Sequence, residues 1–212
     1  MRRRVKIYTT LGTIVVILII ASILIPHYFG SVVYPLDYRT EIKRYADIYN
    51  LNPNFVSAVI FTESHFNPKA TSNVGARGLM QIMPSTASGI ARALNDKSYT
   101  VAKLYEPPRN IRYGCYYLHT ISDSYKGNET LILIHYNGGP GAVGRYQRGG
   151  GLPRETQGFV YKVKSAKRMY DQIYGQWWRL AEFQKPRPKL LVPTFTNIRE
   201  FWRVLIAGGG TA

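Results

Sequence analysis

A single carboxylic acid closes an apolar run in the first half of the chain, and no other stretch restricts the fold as strongly. The run is Phe55-Val-Ser-Ala-Val-Ile-Phe61, and Glu63 follows two residues later. Val56, Val59, Ile60 and Glu63 recur at helical spacing, so the acid shares a helix face with three aliphatic side chains. A carboxyl held against apolar neighbours resists ionisation and can stay protonated near neutral pH. That is the state a general acid requires. Asn52 and Pro53 give this helix a side-chain cap and a proline at its first position. Its exit is unusual, because Gly75 and Gly78 lead into an uncharged run, Gly78-Leu-Met-Gln-Ile-Met-Pro84. A helix bearing one acid, followed by a tight loop, is a candidate active-site floor.

The 212 residues suffice for one main domain with a real core. Twenty-eight Lys and Arg against 12 Asp and Glu leave a net charge of +16. Such a balance suits nucleic acid, an anionic membrane surface or an anionic polymer such as a bacterial wall, and otherwise serves only solubility. The basic residues are scattered and no nucleic-acid-binding motif is present, so nucleic acid is not an expected partner. The one cysteine, Cys115, excludes an intramolecular disulfide and sits where a helix accommodates a small buried thiol. Four histidines without ligand spacing give no metal signature, and no cofactor is expected.

In chain order, residues 1–6 form a basic start that is expected to stay cytoplasmic. Ile7 to Ile25 carries no charge, and as a helix it would span roughly 28 Å, close to the hydrocarbon thickness of a membrane. The stretch is longer than an ordinary signal core and lacks a small-x-small cleavage site before Pro26, which favours an uncleaved anchor over 7–26. Everything after Pro26 would then lie outside the cell membrane. Residues 27–36 read as a linker and 37–184 as the main domain. Helices are expected over 37–50, from Pro53 through Glu63, over 84–94, over 110–125, over 129–135 and from Glu155 to about Phe183. Residues 95–108 are turn-rich, Tyr136-Asn-Gly-Gly-Pro-Gly141 reads as a sharp loop, and Gly149 to Gly151 as a flexible connection. Lys185-Pro-Arg-Pro188 begins a tail, 185–212, in which Ile198, Phe201, Trp202, Leu205 and Ile206 fall at helical spacing. That short helix could lie on a membrane or dock on the domain. No strand is evident outside the middle loop.

Four segments, Glu63-Ser64, Gly78 to Pro84, Tyr136-Asn-Gly-Gly-Pro140 and Glu155-Thr156, together resemble the motifs of the soluble-lytic-transglycosylase family of lysozyme-like enzymes, in order. The resemblance runs from about Tyr38 to Tyr174. It implies an α+β, mostly α-helical lysozyme-like domain that cuts the β-1,4 bond between N-acetylmuramic acid and N-acetylglucosamine in peptidoglycan. The muramic acid's own 6-hydroxyl closes a ring, leaving a 1,6-anhydro end. Ordinary glycosidases need two carboxylates, one acting on water or as nucleophile. A substrate-supplied nucleophile needs only one protein acid, so Glu63 would serve as acid and then as base.

The resemblance places Ser72, Gln81 and Met83 along the sugar subsites, Tyr136 beside the catalytic acid, Asn137 at the substrate, and Glu155 at the start of the long helix. Each has a plainer alternative. Glu63 could be a half-buried acid paired with Arg77, and one of Met80 and Met83 is expected to face the core. Tyr136 could be a buried, satisfied tyrosine, Asn137 a helix cap, and Glu155 a favourable charge at a helix N-terminus.

Two residues depart from the family pattern. His135 stands where a small apolar residue is usual, as a packing change or a titratable neighbour of the site. Phe159 stands where a tyrosine is usual, and Tyr161, two residues on, points elsewhere in a helix. Two other readings use the same residues: a goose-type-lysozyme-like hydrolase, and a wall-binding scaffold module without activity.

Overall fold

The structure is a computed structural model that describes residues 12–18, 20–21 and 32–182, the last four as backbone only. The chain divides into two units, 1–35 and 36–212. In the first, residues 12–18 and 20–21 are helical, and Ile14, Val15, Val16, Ile17, Leu18 and Ile20 are all exposed. Among the described residues no helix is long and apolar enough to cross a membrane. The remainder of the expected 7–26 span lies outside the described residues, as does the expected helix around 198–206.

The second unit is a helical assembly of α1 (Arg39–Ile48), α2 (Pro53–Ser64), α3 (Pro84–Ala93), a 3-10 turn (Val101–Tyr105), α4 (Pro107–Ser124), α5 (Glu129–Gln147) and α6 (Arg154–Glu182). α2 is its centre. Asn52 accepts hydrogen bonds from the Asn54 and Phe55 main-chain N–H groups at 2.8 and 3.2 Å, satisfying two of the donors that a helix start leaves open. Every residue from Asn54 to Ile60 is buried, so α2 has no solvent face along its middle turns. Its most extensive partner is α6, and α1 packs beside it. Buried Asn54, at the start of α2, ties that end to the second half of α6 by donating to Asp171 at 2.7 Å and accepting from the Trp178 indole.

The helical expectation holds, with three corrections. α4 begins at Pro107 rather than Asn110, because two prolines fit the first turn, where their missing N–H groups are not needed. α5 does not end at His135. It continues through Tyr136 and Asn137, breaks at Gly139 (φ 75°, ψ 177°), and restarts from Pro140 to Gln147. The residue before a proline is driven out of the helical region, and glycine alone adopts this φ without strain. The expected loop is therefore a one-residue kink between two helical segments. Third, the β part of the expected α+β class amounts, among the described residues, to two isolated antiparallel bridges, Thr71 with Arg77 and Arg77 with Ile82.

Candidate active site

Glu63 lies in the last turn of α2, half-buried, just before the chain reverses through His65 (φ 50°) and Phe66 (φ 62°). Burial, with the negative charge of Glu155 as a second cause, pushes its carboxyl up to about 8. No ion pair holds it among the described residues. Arg77, the alternative partner suggested by the sequence, is turned elsewhere, with its guanidinium 5.7 Å from the centre of the Tyr105 ring. Glu63 is therefore a proton-bearing group near neutral pH.

The next residue fixes the wall of the site. The Ser64 hydroxyl is buried and lies 2.8 Å from the Leu79 carbonyl oxygen, to which it donates, tying the end of α2 to the Gly78–Pro84 segment. Within that segment Leu79 and Met80 are fully buried, while Met83 is 37% exposed. Met80 is the methionine that faces the core, where its thioether fills the space that a side chain on Gly114 would need. Gly78 has φ 75°, and a Cβ there would collide with the Leu104 carbonyl and the Asn110 amide.

Asn110 was not singled out from the sequence, yet it organises this wall. Its buried side chain accepts from the Met80 N–H at 2.7 Å and donates to the carbonyls of Arg77 at 2.9 Å and Leu104 at 2.7 Å. The only signal was a polar residue directly before the apolar stripe Ile111, Cys115, Leu118 at the start of α4. Gln81 (φ 46°) directs its amide nitrogen to the carbonyls of Gly78 at 2.8 Å and Ala70 at 3.2 Å, and the Ser72 hydroxyl accepts from the Ala76 N–H at 3.0 Å. Both side chains thus brace the loop.

The facing wall comes from α5 and α6. Tyr136 donates its hydroxyl to the Met80 carbonyl at 2.7 Å, and its ring stacks on Phe159 with centroids 6.2 Å apart and planes 4° apart. Burial, and then the charge of Glu63, hold its hydroxyl well above its ordinary pKa, so it remains a donor. Asn137 is half-buried in the last turn of α5 before the kink at Gly139. A Cβ on Gly138 would press on Ala142 and Thr156, so this glycine lets α5 approach the first turn of α6. Glu155 is exposed in that turn, close enough for its charge to act on Glu63.

Neither departure from the family pattern disrupts the centre. Phe159 supplies the flat partner for Tyr136, and Tyr161 is 71% exposed. His135 is buried with Nδ1 2.8 Å from the Tyr125 hydroxyl, and burial pushes its pKa down to about 4, so it is neutral at physiological pH. Cys115 is also buried, and its thiol is pushed well up. Among the described residues no group of three or more His, Cys, Asp or Glu could hold a metal ion.

Residues 40–154 match the pattern of the family described as the transglycosylase SLT domain. The chain belongs to that family. The matched residues contain Glu63, Asn110 and Tyr136 and stop one short of Glu155. The SLT domain is 36% identical over 156 residues to the soluble lytic murein transglycosylase of Escherichia coli, covering 67% of this chain and 24% of that protein. It is 34% identical over 115 residues to the membrane-bound lytic murein transglycosylase C of Edwardsiella ictaluri, covering 50% of this chain and 32% of that one.

The crystal structure of the 70 kDa soluble lytic transglycosylase of Escherichia coli superposes with a TM-score of 0.64 at 31% identity, over 69% of this chain and 26% of that one. This establishes a mostly helical, lysozyme-like SLT fold. The chain spans about a quarter of the length of the soluble relatives it matches.

Proposed function

We propose that this SLT domain is a peptidoglycan lytic transglycosylase that cleaves the β-1,4 bond between N-acetylmuramic acid and N-acetylglucosamine. The observation that carries the reading is Glu63, an acid kept protonated near neutral pH at the end of a buried helix. It faces a wall that Ser64, Asn110 and Tyr136 fasten by hydrogen bonds.

Glu63 gives its proton to the glycosidic oxygen as the bond to the muramic anomeric carbon breaks. The oxygen of the 2-acetamido group bonds to that carbon and holds it. The Glu63 carboxylate then takes the proton of the 6-hydroxyl, whose oxygen attacks the anomeric carbon and displaces the acetamido oxygen. Glu63 is protonated again, and no water is consumed. Glu155, exposed on the other wall, contributes charge that keeps the proton on Glu63 between turnovers. Met83 offers its exposed thioether to a sugar face, while Ser72, Gln81, Asn137 and Glu155 are the polar groups available to acetamido and hydroxyl groups.

The domain acts outside the cytoplasmic membrane, on an anchor formed by residues 7–26 with the basic start inside. What supports this is the uncharged stretch and the exposed aliphatic side chains of its described helical residues.

The deciding experiment is mass spectrometry of fragments released from purified peptidoglycan by the full chain. Anhydro ends, one water lighter than reducing ends, are expected. Reducing ends alone would assign the domain to the hydrolases, and binding without release to the scaffold class.

A further inference from the structure

Arg77 is the one cation whose backbone is built into the wall of the site, and its side chain has no carboxylate partner among the described residues. Its main chain is bridged to Thr71 on one side and to Ile82 on the other. Its N–H donates to the Ile82 carbonyl at 3.1 Å, and its own carbonyl accepts from the Ile82 N–H at 3.1 Å and from Asn110 at 2.9 Å. The base of the side chain is therefore fixed.

The guanidinium lies over the Tyr105 ring at 5.7 Å; burial raises the Tyr99 phenol above its ordinary pKa, and the charge of Arg77 offsets part of that rise. The Tyr105 hydroxyl is 2.7 Å from the Thr71 hydroxyl, and the Tyr99 hydroxyl donates to the Pro84 carbonyl at 3.2 Å. Arg77 thus stands over Tyr105, and Tyr99 is tied to Pro84, the residue that follows exposed Met83. The Arg77 Nε is buried and makes no hydrogen bond. Buried donors are nearly always paired, so the hydrogen-bonding of this side chain is incomplete as it stands. By contrast, nearby Arg109 is paired with Asp96 and Glu106.

We propose that Arg77 anchors a carboxylate carried on the lactyl arm of the muramic acid, and so makes the site selective for muramyl glycans over plain N-acetylglucosamine polymers. A planar guanidinium supported on an aromatic face presents the fork geometry that suits a carboxylate. The inference rests on the peptidoglycan reading of the site. Two sources supply this chemistry: the lactyl carboxylate itself in glycan stripped of peptide, and the carboxylates of the stem peptide where one is attached.

The test uses the full chain carrying Glu63→Gln, so that ligands are bound and not cut, with Arg77→Met or Arg77→Lys added. Binding is measured for peptide-bearing glycan oligomers, for peptide-free glycan of the same length, and for a chito-oligosaccharide with neither carboxylate. Arg77→Met is expected to weaken binding of a carboxylate-bearing glycan about tenfold or more and to remove most of its salt dependence, while chito-oligosaccharide binding stays unchanged. Arg77→Lys should restore part of the loss. Loss confined to peptide-bearing glycan identifies the stem peptide as the source; equal loss with peptide-free glycan identifies the lactyl carboxylate. Equal weakening for the chito-oligosaccharide would reduce Arg77 to a packing role, and no weakening for any ligand would equally overturn the proposal. Failure of the enzymatic reading is separate, since it would appear as the absence of anhydro fragments from the chain with Glu63 intact.

Discussion

The hydroxyl of Tyr136 donates to the main-chain carbonyl of Met80 at 2.7 Å, joining residues 56 positions apart across the site. Neither partner is a reacting group, yet the bond sets the separation between the α5 wall and the Gly78–Pro84 wall. Replacing Tyr136 with Phe removes the donor and leaves a carbonyl without this partner while the ring stays stacked on Phe159. Thermal or denaturant unfolding should report a loss of about 1 kcal/mol. Fragment release should fall about tenfold or more, because a wall displaced by a fraction of an ångström misplaces the sugar.

Glu63→Gln keeps the size of the side chain and abolishes its proton chemistry. Fragment release from peptidoglycan should fall by about 10²- to 10⁴-fold, the range ascribed to a positioned acid-base group. Binding of glycan oligomers and the circular dichroism of the helices should be retained. Turnover at the level of the unsubstituted chain would remove Glu63 from the mechanism.

The same residue sets a pH signature. Glu63 is raised from 4.5 to about 8 in the folded chain, so the acid form needed for bond breaking prevails below that value and activity should decline as the pH rises through it. Glu155→Gln withdraws a negative charge that holds the proton on Glu63, and the alkaline limb should move to lower pH. Stability follows the same sign. The folded chain holds this proton more tightly than the unfolded one, so the contribution is full below about 4.5 and is lost as the pH rises toward about 8. Glu63→Gln, which has no proton to lose, should therefore gain stability relative to the unsubstituted chain at pH 9 and not at pH 4. Melting curves at the two pH values measure this.

Gly78→Ala should cost about 3 kcal/mol or more, combining a left-handed φ of 75° with a collision against Asn110 and Leu104. Gly127→Ala is the control. It has the same φ of 75°, but its Cβ would meet nothing within 4 Å, so it should cost only about 1 kcal/mol. Urea titration of both variants separates backbone strain from crowding at the wall.

Much of this architecture was legible because local signals and tertiary demands agree. Asn52-Pro53 announces the start of α2, the apolar run explains its burial on all sides, and Glu63 sits where its spacing from Val56, Val59 and Ile60 puts it. The extent of α5 was not legible. Tyr136-Asn-Gly-Gly-Pro-Gly reads locally as a turn, but packing of the Tyr136 ring and the close approach of Gly138 to Thr156 carry the helix on to a kink at Gly139. Asn110 escaped notice for a different reason. Its three partners come from distant segments or carbonyl groups, and no spacing along a chain encodes such a meeting. The sequence also suggested pairing Arg77 with Glu63, and the bridges to Thr71 and Ile82 direct Arg77 to Tyr105 instead.

Met80 and Met83 stand three residues apart on opposite sides of one wall, the first at 0% and the second at 37% exposure. Dilute peroxide should discriminate between them. The thioether of Met83 is open to conversion into a polar sulfoxide, whereas that of Met80 is sealed against Gly114. Oxidant damage would then begin on the exposed face of the wall, the face that the proposed reading gives to the sugar, and spare the packing beneath, leaving a folded protein repairable by sulfoxide reduction rather than by replacement.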